Sequence, residues 1–493
     1  MMPILPVILW TDALVFALLG CVAAFVWLTV SREHLRAPWR KVARSTSGMV
    51  AATVLACFVA VGLLDCLHYR KALLPEPGKA EQRWSPEVLS ALDALAAPLR
   101  QRQERTFSAP FAVHGHSKES ITRPDGTMAR EYPRLKHGGA HLQDPARERG
   151  ADIAAGASRG AAAAALAWVM LASLLTGVVA AARGSSFAAV SGAAWRGELD
   201  VPLRAVLLTA AVILLVAGPL IVLSGRYHVF GTDKVGQDVL YLTLKSIRTG
   251  LVIGTVTTLV MLPFALALGL MAGYFKGWVD DIIQYLYTTL SSIPGVLLIA
   301  AAVLMMQVYM DARPETFDSV TRRADFRLLF LCVILGVTSW TGLCRLLRGE
   351  TLKLRELEFV QAARAFGLGP WRILARHVLP NVLHIVIIST VLGFSSLVLA
   401  EAVLSYVGVG VDPAMNSFGT MINAARLELA REPVVWWSLG AAFGCMLLLV
   451  LAANLFADAV RDALDPRVRA DFLRASPWRQ LAARTRPATK ASS

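Results

Sequence analysis

The sequence predicts an all-α polytopic membrane protein with about nine transmembrane helices. Hydrophobic residues make up 56% of the 493 residues and charged residues only 17%, and the mean hydropathy is +0.54. A water-soluble domain of this length cannot bury so much apolar surface. A helix needs about 20 apolar residues to cross the hydrocarbon core of a membrane. Windows of this kind lie at residues 6–30, 48–66, 161–182, 205–223, 251–274, 293–310, 328–347, 382–409 and 436–455.

The basic residues indicate which side of the membrane each connection occupies. The net charge is +14, and Lys and Arg are concentrated at residues 32–44, 345–376 and 461–490. Short basic connections stay in the cytoplasm. Alternation through nine spans then places all three segments in the cytoplasm, with the N-terminus outside and the C-terminus inside. No basic patch is interleaved with stacking aromatic residues, which argues against nucleic-acid binding.

The windows and their connections divide the chain into five segments. We predict a transmembrane hairpin at 1–66, an extracytoplasmic insert at 67–159, a third transmembrane helix with a cytoplasmic connector at 160–200, a six-helix transmembrane domain at 201–467 and a basic cytoplasmic tail at 468–493. The first span lacks a positively charged start and a small-residue cleavage site, so we expect a retained helix and not a signal peptide. In the insert, Ser85 and Pro86 predict the start of a helix that runs to Arg105.

Histidines in the insert raise the question of a metal site. His114 and His116 lie close together in the sequence, as do His137 and His141, and imidazole is a common ligand of zinc and nickel. Histidines of an irregular surface loop explain the same pattern and are the favoured interpretation, so no metal site is predicted. The six cysteines fall in or beside apolar windows without a CxxC pair, as expected of small packing residues.

A basic polar segment, residues 354–381, lies between the seventh and eighth windows and must face water or a partner protein. Residues 356–366 favour a helix, Gly367 breaks it, and a second short helix follows until Pro380 ends it. Two interpretations fit this pattern. One is an amphipathic hairpin on the membrane surface, and the other is a docking element for another protein.

The motifs of this segment resemble a known element. QAARAFG at 361–367, followed by LPN at 379–381, is similar to the loop with which binding-protein-dependent ABC importers engage their ATPases. Gln361 stands where the family usually has Glu, which removes a charge. The resemblance implies that this coupling loop (residues 354–381) acts through Glu358, Gln361, Ala362, Ala363, Gly367, Arg372, Leu379 and Pro380.

A longer resemblance covers residues 201–467, which are similar to permeases of peptide and nickel importers, specifically the C-type subunit of the dipeptide/oligopeptide group. FGTDKVGQDVL at 230–240, the signature loop, resembles the family's GTD-x-x-G-R-D-V, with Gln237 in place of Arg. The signature residues are Gly231, Thr232, Asp233, Gly236 and Asp238. We expect the two glycines to form sharp turns and the two aspartates to cap helix starts.

Residues 272–295 also resemble the family. We expect Gly273 and Gly277 to break the fifth span at its cytoplasmic end. Asp280 and Asp281 are expected to begin an amphipathic helix along the membrane, where they suit the helix dipole better than acid/base chemistry.

Glu401 lies deep in an apolar window, and a carboxylate inside a membrane span suggests a function such as proton coupling. The family commonly has Glu at this place, which favours a packing or gate-lining role. Glu401, Ser405 and Gly408 are therefore candidates for the transport pathway or its gate. Residues 417–422 (SFGTMI) resemble a re-entrant region near which a solute-binding protein docks.

The chain contains no GxxxxGK[ST], GxSxG or HExxH motif, so we expect a non-catalytic subunit that binds no cofactor itself. The resemblance implies an importer permease in a bacterial cytoplasmic (inner) membrane, in contact with membrane lipid. Its implied partners are a homologous B-type permease, two ABC ATPase subunits that hold ATP and Mg, and an extracytoplasmic solute-binding protein.

The alternative functions for the chain are a proton-coupled secondary transporter using Glu401 or Asp458, and a scaffold or sensor using the insert. The sequence does not decide between peptides, nickel complexes and peptide antibiotics as the solute.

Overall fold

The computed structural model describes residues 4–31, 33–73, 84–122, 128–313, 315 and 319–464. The predicted basic tail, 468–493, lies outside the described residues. The chain begins with a short strand, β1 (Ile4–Val7), followed by α1 (Trp10–Ser31), α2 (Glu33–Arg44) and α3 (Thr46–Cys66). The first basic connection is thus itself a helix, α2. Ser45 separates it from α3 and caps α3 by accepting a hydrogen bond from the backbone N–H of Gly48 at 3.2 Å.

The first part of the insert is a small α/β module beside the bundle. Strand β2 (His68–Lys71) pairs antiparallel with β1 and with β3 (Leu89–Ser90). The N-terminal strand is therefore hydrogen-bonded to the insert. Two short helices follow, α4 (Ala91–Leu95) and α5 (Ala97–Gln101). A hairpin of β4 (Glu119–Thr122) and β5 (Met128–Glu131) completes the module.

The predicted helix start at Ser85 is wrong. The first helix of the insert begins after Ser90, which forms a capping box with Asp93, each side chain bonding the other's backbone N–H. Two backbone donors are satisfied there at once. The Ser85 hydroxyl accepts only from the N–H of Glu87, as in a turn.

The third span is much longer than its apolar window. Helix α6 (Pro145–Arg183) begins directly after Asp144, whose side chain caps it. Two helices follow, α7 (Phe187–Arg196) and α8 (Leu203–Ser224). Helices α6 and α8 touch backbone to backbone, because a Cβ on Gly160 would lie 2.6 Å from Pro219 Cα. Small residues allow this close approach in membrane helices.

The next four helices form the centre of the bundle: α9 (Val239–Phe275), α10 (Trp278–Ser292), α11 (Gly295–Asp311) and α12 (Val320–Arg355). Asp280 and Asp281 lie in the first turn of α10, as predicted. The predicted break at Gly273 is wrong, since α9 runs through it to Phe275. Gly273 instead lets α12 approach, because a Cβ there would lie 2.5 Å from Thr351 Cβ. Gly277, with φ of +59°, stands in the turn before α10.

The polar segment and the last spans complete the fold with α13 (Glu358–Ala365), α14 (Pro370–Ile373), a π-helical stretch (Leu374–Val378), α15 (Leu379–Tyr406), α16 (Phe418–Arg426) and α17 (Trp437–Leu464). Residues Pro370–Tyr406 form one continuous helix, so the predicted helix end at Pro380 is wrong. Proline lacks an N–H and its ring crowds the carbonyl four residues back. The wider π turn precedes it, and Asn381 Nδ2 donates to His377 O at 2.6 Å.

Among the described residues, eight helices are long and apolar enough to cross a membrane. Helices α10 and α11 meet at 87° and bring the number to nine if they form one broken span. The predicted all-helical polytopic class is confirmed. Helices α9 and α12 pack along each other, and α15 and α17 pack beside α9.

Candidate functional site

The coupling loop presents apolar side chains to the solvent. Val360 and Ala363 of α13 are buried against the bundle, whereas Phe366 is 85% exposed and Trp371 is 62% exposed. These two aromatic residues lie on either side of the turn between α13 and α14. Large exposed apolar side chains in a polar loop are typical of a surface that another protein covers.

Gly367 ends α13 in a conformation that favours glycine. Its φ is +76°, and the N–H of Leu368 donates to Ala363 O at 3.2 Å across it. This is a Schellman ending, in which a left-handed residue closes the last helical turn. A Cβ on Gly367 would meet no atom of this chain within 4 Å. The glycine is thus required by the backbone and not by packing within the chain.

The segment after the turn is anchored in the bundle. Ile373, Leu374 and Val378 are almost fully buried. They belong to one apolar cluster with residues of α9, α10 and α12, including Leu270, Ile283 and Leu347. A displacement of the coupling loop therefore reaches the membrane helices through packed side chains, since close-packed interiors transmit strain.

An ion pair and a hydrogen bond at the same end of the bundle join α12 to its neighbours. Arg348 makes a bidentate pair with Asp280 of α10, at 2.6 and 2.7 Å. Arg355 donates to the backbone oxygen of Tyr274 at 2.8 Å. The predicted dipole role of Asp280 is therefore only part of its function, because bidentate Arg–carboxylate pairs also fix geometry.

Gln361, at the place where the resemblance predicts Glu, makes a local contact in this chain. Its Nε2 donates to the backbone oxygen of Glu356 at 3.1 Å, beyond the last residue of α12. An ionised Glu has no proton to donate there. The substitution thus exchanges a charge for a hydrogen bond that ties α13 to the end of α12.

The other residues predicted for the coupling loop divide by exposure. Glu358, Ala362, Arg372 and Pro380 are exposed, and Leu379 is half-buried. Leu379 packs against the apolar cluster.

Glu401 is buried inside the protein. It is 1% exposed and accepts a hydrogen bond from Ser405 Oγ, one turn further along α15, at 2.7 Å. Ser405 packs against α16, where a Cβ on Gly419 would lie 2.5 Å from Ser405 Cβ. Gly408, with φ of +88°, turns the chain after α15. The C-terminal end of α15 is therefore packed against α16 and stabilised by the hydrogen bond between Ser405 and Glu401.

The insert lies directly on the signature loop. Thr232 N donates to Ser108 O at 3.0 Å, and Ser108 N donates to Thr232 Oγ1 at 2.7 Å. Trp437 Nε1, at the start of α17, donates to Thr232 O at 2.9 Å. Thr232 therefore joins the insert, the signature loop and the last span.

The two signature glycines make this contact possible. Gly231 and Gly236 have φ of +72° and +76°, which fits the turns predicted for them. A Cβ on Gly231 would lie 2.4 Å from Ser108 O, and one on Gly236 would lie 2.0 Å from Glu104 O. Only glycine allows the insert backbone to come so close.

The two signature aspartates differ in what they cap. Asp238 caps α9 by accepting from Leu240 N at 2.9 Å, as predicted. Asp233 accepts from Val235 N and Gln237 N at 3.0 and 2.7 Å. It closes a turn and not a helix, so its predicted helix cap is wrong.

Comparison with known proteins identifies the family. Residues 265–470 match the family model of the binding-protein-dependent transport system inner membrane component. The oligopeptide transport system permease protein OppC of Mycobacterium tuberculosis is 34% identical over 245 residues, which are 50% of this chain and 78% of that protein. The chain belongs to the family of binding-protein-dependent ABC importer permeases. The glutathione transport system permease protein GsiD of Pectobacterium atrosepticum is 33% identical over 244 residues, 49% of this chain and 73% of GsiD.

The matched part of this permease contains the coupling loop and Glu401. The predicted resemblance to peptide-importer permeases is thereby confirmed. Among solved structures, the methionine ABC transporter MetNI in an inward-facing conformation matches 46% of the permease and 98% of that chain, with 16% identity and a TM-score of 0.36.

A buried ionic cluster reinforces the contact between the insert and the signature loop of the permease. His228 Nδ1 lies 2.8 Å from Asp238 Oδ2, and His228 Nε2 lies 3.4 Å from Glu104 Oε1. Burial opposes the charge on His228, but the hydrogen bond to Asp238 and the nearby carboxylate of Glu104 outweigh it and raise its pKa to about 9. Burial likewise opposes the charge on Glu104, yet His228 and three backbone N–H groups lower its pKa to about 2. His228 and Glu104 are therefore both charged at neutral pH.

A second ionic cluster holds the N-terminal helix to the permease core. Arg248 of α9 donates to Asp12 Oδ1 of α1 at 2.6 Å and lies 3.8 Å from Asp325 of α12. His68 Nδ1 is 2.7 Å from Asp12 Oδ2. The carboxylates and Arg248 are buried. Sequence analysis missed this cluster, although Asp12 is a charged residue in an apolar window, which is the signal that could have revealed it.

A third cluster binds the insert to α9 nearby. Lys245 Nζ lies 2.6 Å from Asp65 Oδ1 of α3 and 3.1 Å from Asp93 Oδ1 of α4. Tyr241 donates to the same Asp93 oxygen at 2.7 Å. Helices α3, α4 and α9 therefore meet at one lysine.

Three of the four histidines considered as metal ligands make separate contacts. His116 Nε2 lies 3.2 Å from Pro433 O, and its ring packs edge-on against Trp437. His141 Nε2 lies 2.8 Å from Asp152 Oδ2. The backbone of His114 pairs with that of Arg134 in an isolated antiparallel β-bridge. In the described part of the chain, no group of three or more His, Cys, Asp or Glu could hold a metal ion.

Proposed function

We propose that this permease is a transmembrane subunit of an ATP-driven importer for peptides or similar small solutes. The oligopeptide, glutathione and dipeptide permeases among its relatives support the solute class. The observation that carries the coupling role is the exposed aromatic pair, Phe366 and Trp371, on a loop whose next turn is buried in the bundle. Such a loop both offers a docking surface and transmits its displacement.

Transport then depends on motion and not on bond chemistry. Closure of the partner ATPases around ATP and Mg displaces α13. Buried Ile373 and Val378 pass that displacement to α9, α10 and α12. The helices move between inward-open and outward-open states around a central path, as in other two-state gating transitions. Glu401 and Ser405 stabilise the end of α15 beside that path, with Gly408 as the turn that follows.

The remaining partners follow from the family. A homologous B-type permease completes the pathway, and two ABC ATPases bind at the coupling loops. The face that carries the insert is the extracytoplasmic side of a bacterial inner membrane, with the N-terminus outside and the C-terminus in the cytoplasm. A solute-binding protein docks on this face, which is built jointly from the insert, the signature loop and α16.

The five predicted segments keep their roles in this proposal. Residues 201–467 form the permease domain, and residues 1–66 and 160–200 add three spans to it. The buried pair of Arg248 with Asp12 supports a fixed attachment of the first of these spans.

Reconstituted uptake tests the proposed function. We expect proteoliposomes containing this permease, its partner permease, both ATPases and the binding protein to accumulate short peptides when ATP is supplied to the ATPases. Collapse of the proton gradient should leave this uptake unchanged, because ATP hydrolysis by the partner subunits supplies the energy. Uptake that persists without ATP and stops when the gradient is collapsed would contradict the proposal and favour a proton-coupled transporter.

A further inference from the structure

A cationic cavity lies where α8 ends against the insert. Its volume is about 330 Å³. The cavity is lined by Arg102, Lys136, His137, Ala140, His141, Gly225 and Arg226. Three of these seven residues are cations, two are histidines, and none is a carboxylate.

Among the described residues, neither Arg102 nor Lys136 of this cavity has an acidic partner. Arg102 Nη1 donates to the backbone oxygen of Gly225, and it lies 3.4 Å from that of Ser224. Backbone carbonyls orient the guanidinium but do not neutralise it. The Lys136 side chain is exposed, and within the described ranges no carboxylate pairs with it.

The carboxylates beside the cavity already have donors. Asp152 of α6 accepts from Arg226 Nη1 at 2.7 Å and from Tyr227 OH at 2.9 Å, and its Oδ2 also contacts His141. Glu104 accepts from the backbone N–H groups of Lys136 and His137 at 2.9 and 2.7 Å. Asp152 thus pairs with Arg226, and Glu104 lies beside His228. In the described part of the chain, neither carboxylate forms an ion pair with Arg102 or Lys136.

The position of the cavity indicates what kind of anion reaches it. Gly225 directly follows Ser224, the last residue of the membrane span α8. One turn earlier, Ile221 is 71% exposed, and Val216 and Val212 further along α8 are 58% and 62% exposed. The span thus exposes apolar side chains, and that of Ile221 is within one helical turn of the cavity-lining Gly225. A phospholipid presents the matching pattern, with acyl chains below a phosphodiester.

We propose that this cavity binds the phosphodiester of an anionic phospholipid, with Arg102 and Lys136 as its main ligands and the exposed side chains of α8 against the acyl chains. Both cations belong to the insert, whereas the apolar surface belongs to the span. The bound lipid therefore fixes the insert to the membrane plane. A free phosphate ion shares the headgroup chemistry but not the acyl contact.

Lipid retention tests this site. The full-length permease is purified from nanodiscs containing phosphatidylglycerol and phosphatidylcholine, and the retained lipids are measured by native mass spectrometry. For the double variant Arg102→Gln, Lys136→Gln we expect about 30-fold weaker retention of phosphatidylglycerol, the effect of removing two cations beside a lipid surface. Retention of phosphatidylcholine should not change.

A matched control removes two exposed cations from the hairpin of the insert, Lys118→Gln and Arg130→Gln. It should retain phosphatidylglycerol like the wild type. Because the Arg102 change also removes a hydrogen bond to Gly225, the single variant Lys136→Gln provides a second test, with about fivefold weaker retention expected. An equal loss of phosphatidylglycerol retention in the cavity variants and in the control variant would overturn the proposal. Displacement of the lipid by millimolar inorganic phosphate would assign the site to free phosphate and would also overturn it.

Discussion

Replacing Gly367 with leucine should uncouple ATP hydrolysis from uptake while leaving the permease in the membrane. A residue with a Cβ resists the left-handed conformation that Gly367 adopts, φ +76°, at a cost of about 1–3 kcal/mol. The chain relieves this strain by shifting the turn that carries Phe366. Coupling energies of that size change a linked equilibrium by about 5- to 150-fold. The rate of ATP-driven uptake in proteoliposomes should therefore decrease by a factor in that range.

The matched control is Gly369→Leu. Gly369 also faces open space, but its φ of −64° and ψ of 152° are accessible to any residue. This variant adds the same bulk without backbone strain and should keep most of the uptake. Wild-type uptake by the Gly367 variant would argue against a coupling role for the loop. Equal loss in both variants would show that bulk, and not the left-handed turn, is what matters.

Replacing Arg248 with leucine should strongly destabilise the permease. The change leaves Asp12 and Asp325, which are 0% and 1% exposed, without their cation. Removing one partner of a buried ion pair costs about 3–5 kcal/mol because a charge stays buried and uncompensated. We expect the free energy of unfolding in detergent to decrease by this amount. The amount of the protein that accumulates in the membrane should decrease as well.

An exposed ion pair provides the comparison. Arg44 and Asp200 are 2.9 Å apart, with side chains 61% and 68% exposed, and such pairs contribute about 0–1 kcal/mol. Arg44→Leu should therefore change stability little. Adding Asp12→Asn to the Arg248 variant should restore part of the lost stability, since it removes one buried charge. If Arg248→Leu were as stable as Arg44→Leu, the cluster would not hold α1 to the core.

The membrane spans could be predicted because composition alone decides them. A run of apolar residues must leave water whatever its neighbours are. Each of the eight long apolar helices in the described part of the chain therefore overlaps a predicted window. Helix ends depend on local chemistry that hydropathy does not detect. Asp144 and Pro145 begin α6 with a cap and a proline, well before its apolar window, and Ser90 takes the cap predicted at Ser85.

The contacts that fix the insert and the N-terminal helix could not be predicted. Asp12 and Arg248 are 236 residues apart in the chain, and Ser108 and Thr232 are 124 apart. No periodicity or motif connects residues at such distances. Each residue had a visible property, a charge in an apolar window or a hydroxyl in a glycine-rich loop, but only the fold identifies its partner.

The coupling loop could be predicted from the sequence only in part. Its motif marked Gly367 and Gln361 from the sequence, and helix propensity predicted α13. The continuation of the helix through Pro380 depends on the π turn, Leu374–Val378. The exposure of Phe366 depends on which side of α13 packs against the bundle, and that became visible only in three dimensions.

Photocrosslinking at Phe366 tests the central claim, that an ATPase docks on this loop, most directly. The photoreactive analogue p-benzoylphenylalanine replaces Phe366, 85% exposed, or, as a control of the same residue type, Phe443 of the last span, 55% exposed. Irradiation of membranes containing the assembled importer should join the ATPase to position 366 and not to position 443. Absence of an ATPase adduct at 366, or equal adducts at both positions, would contradict the claim.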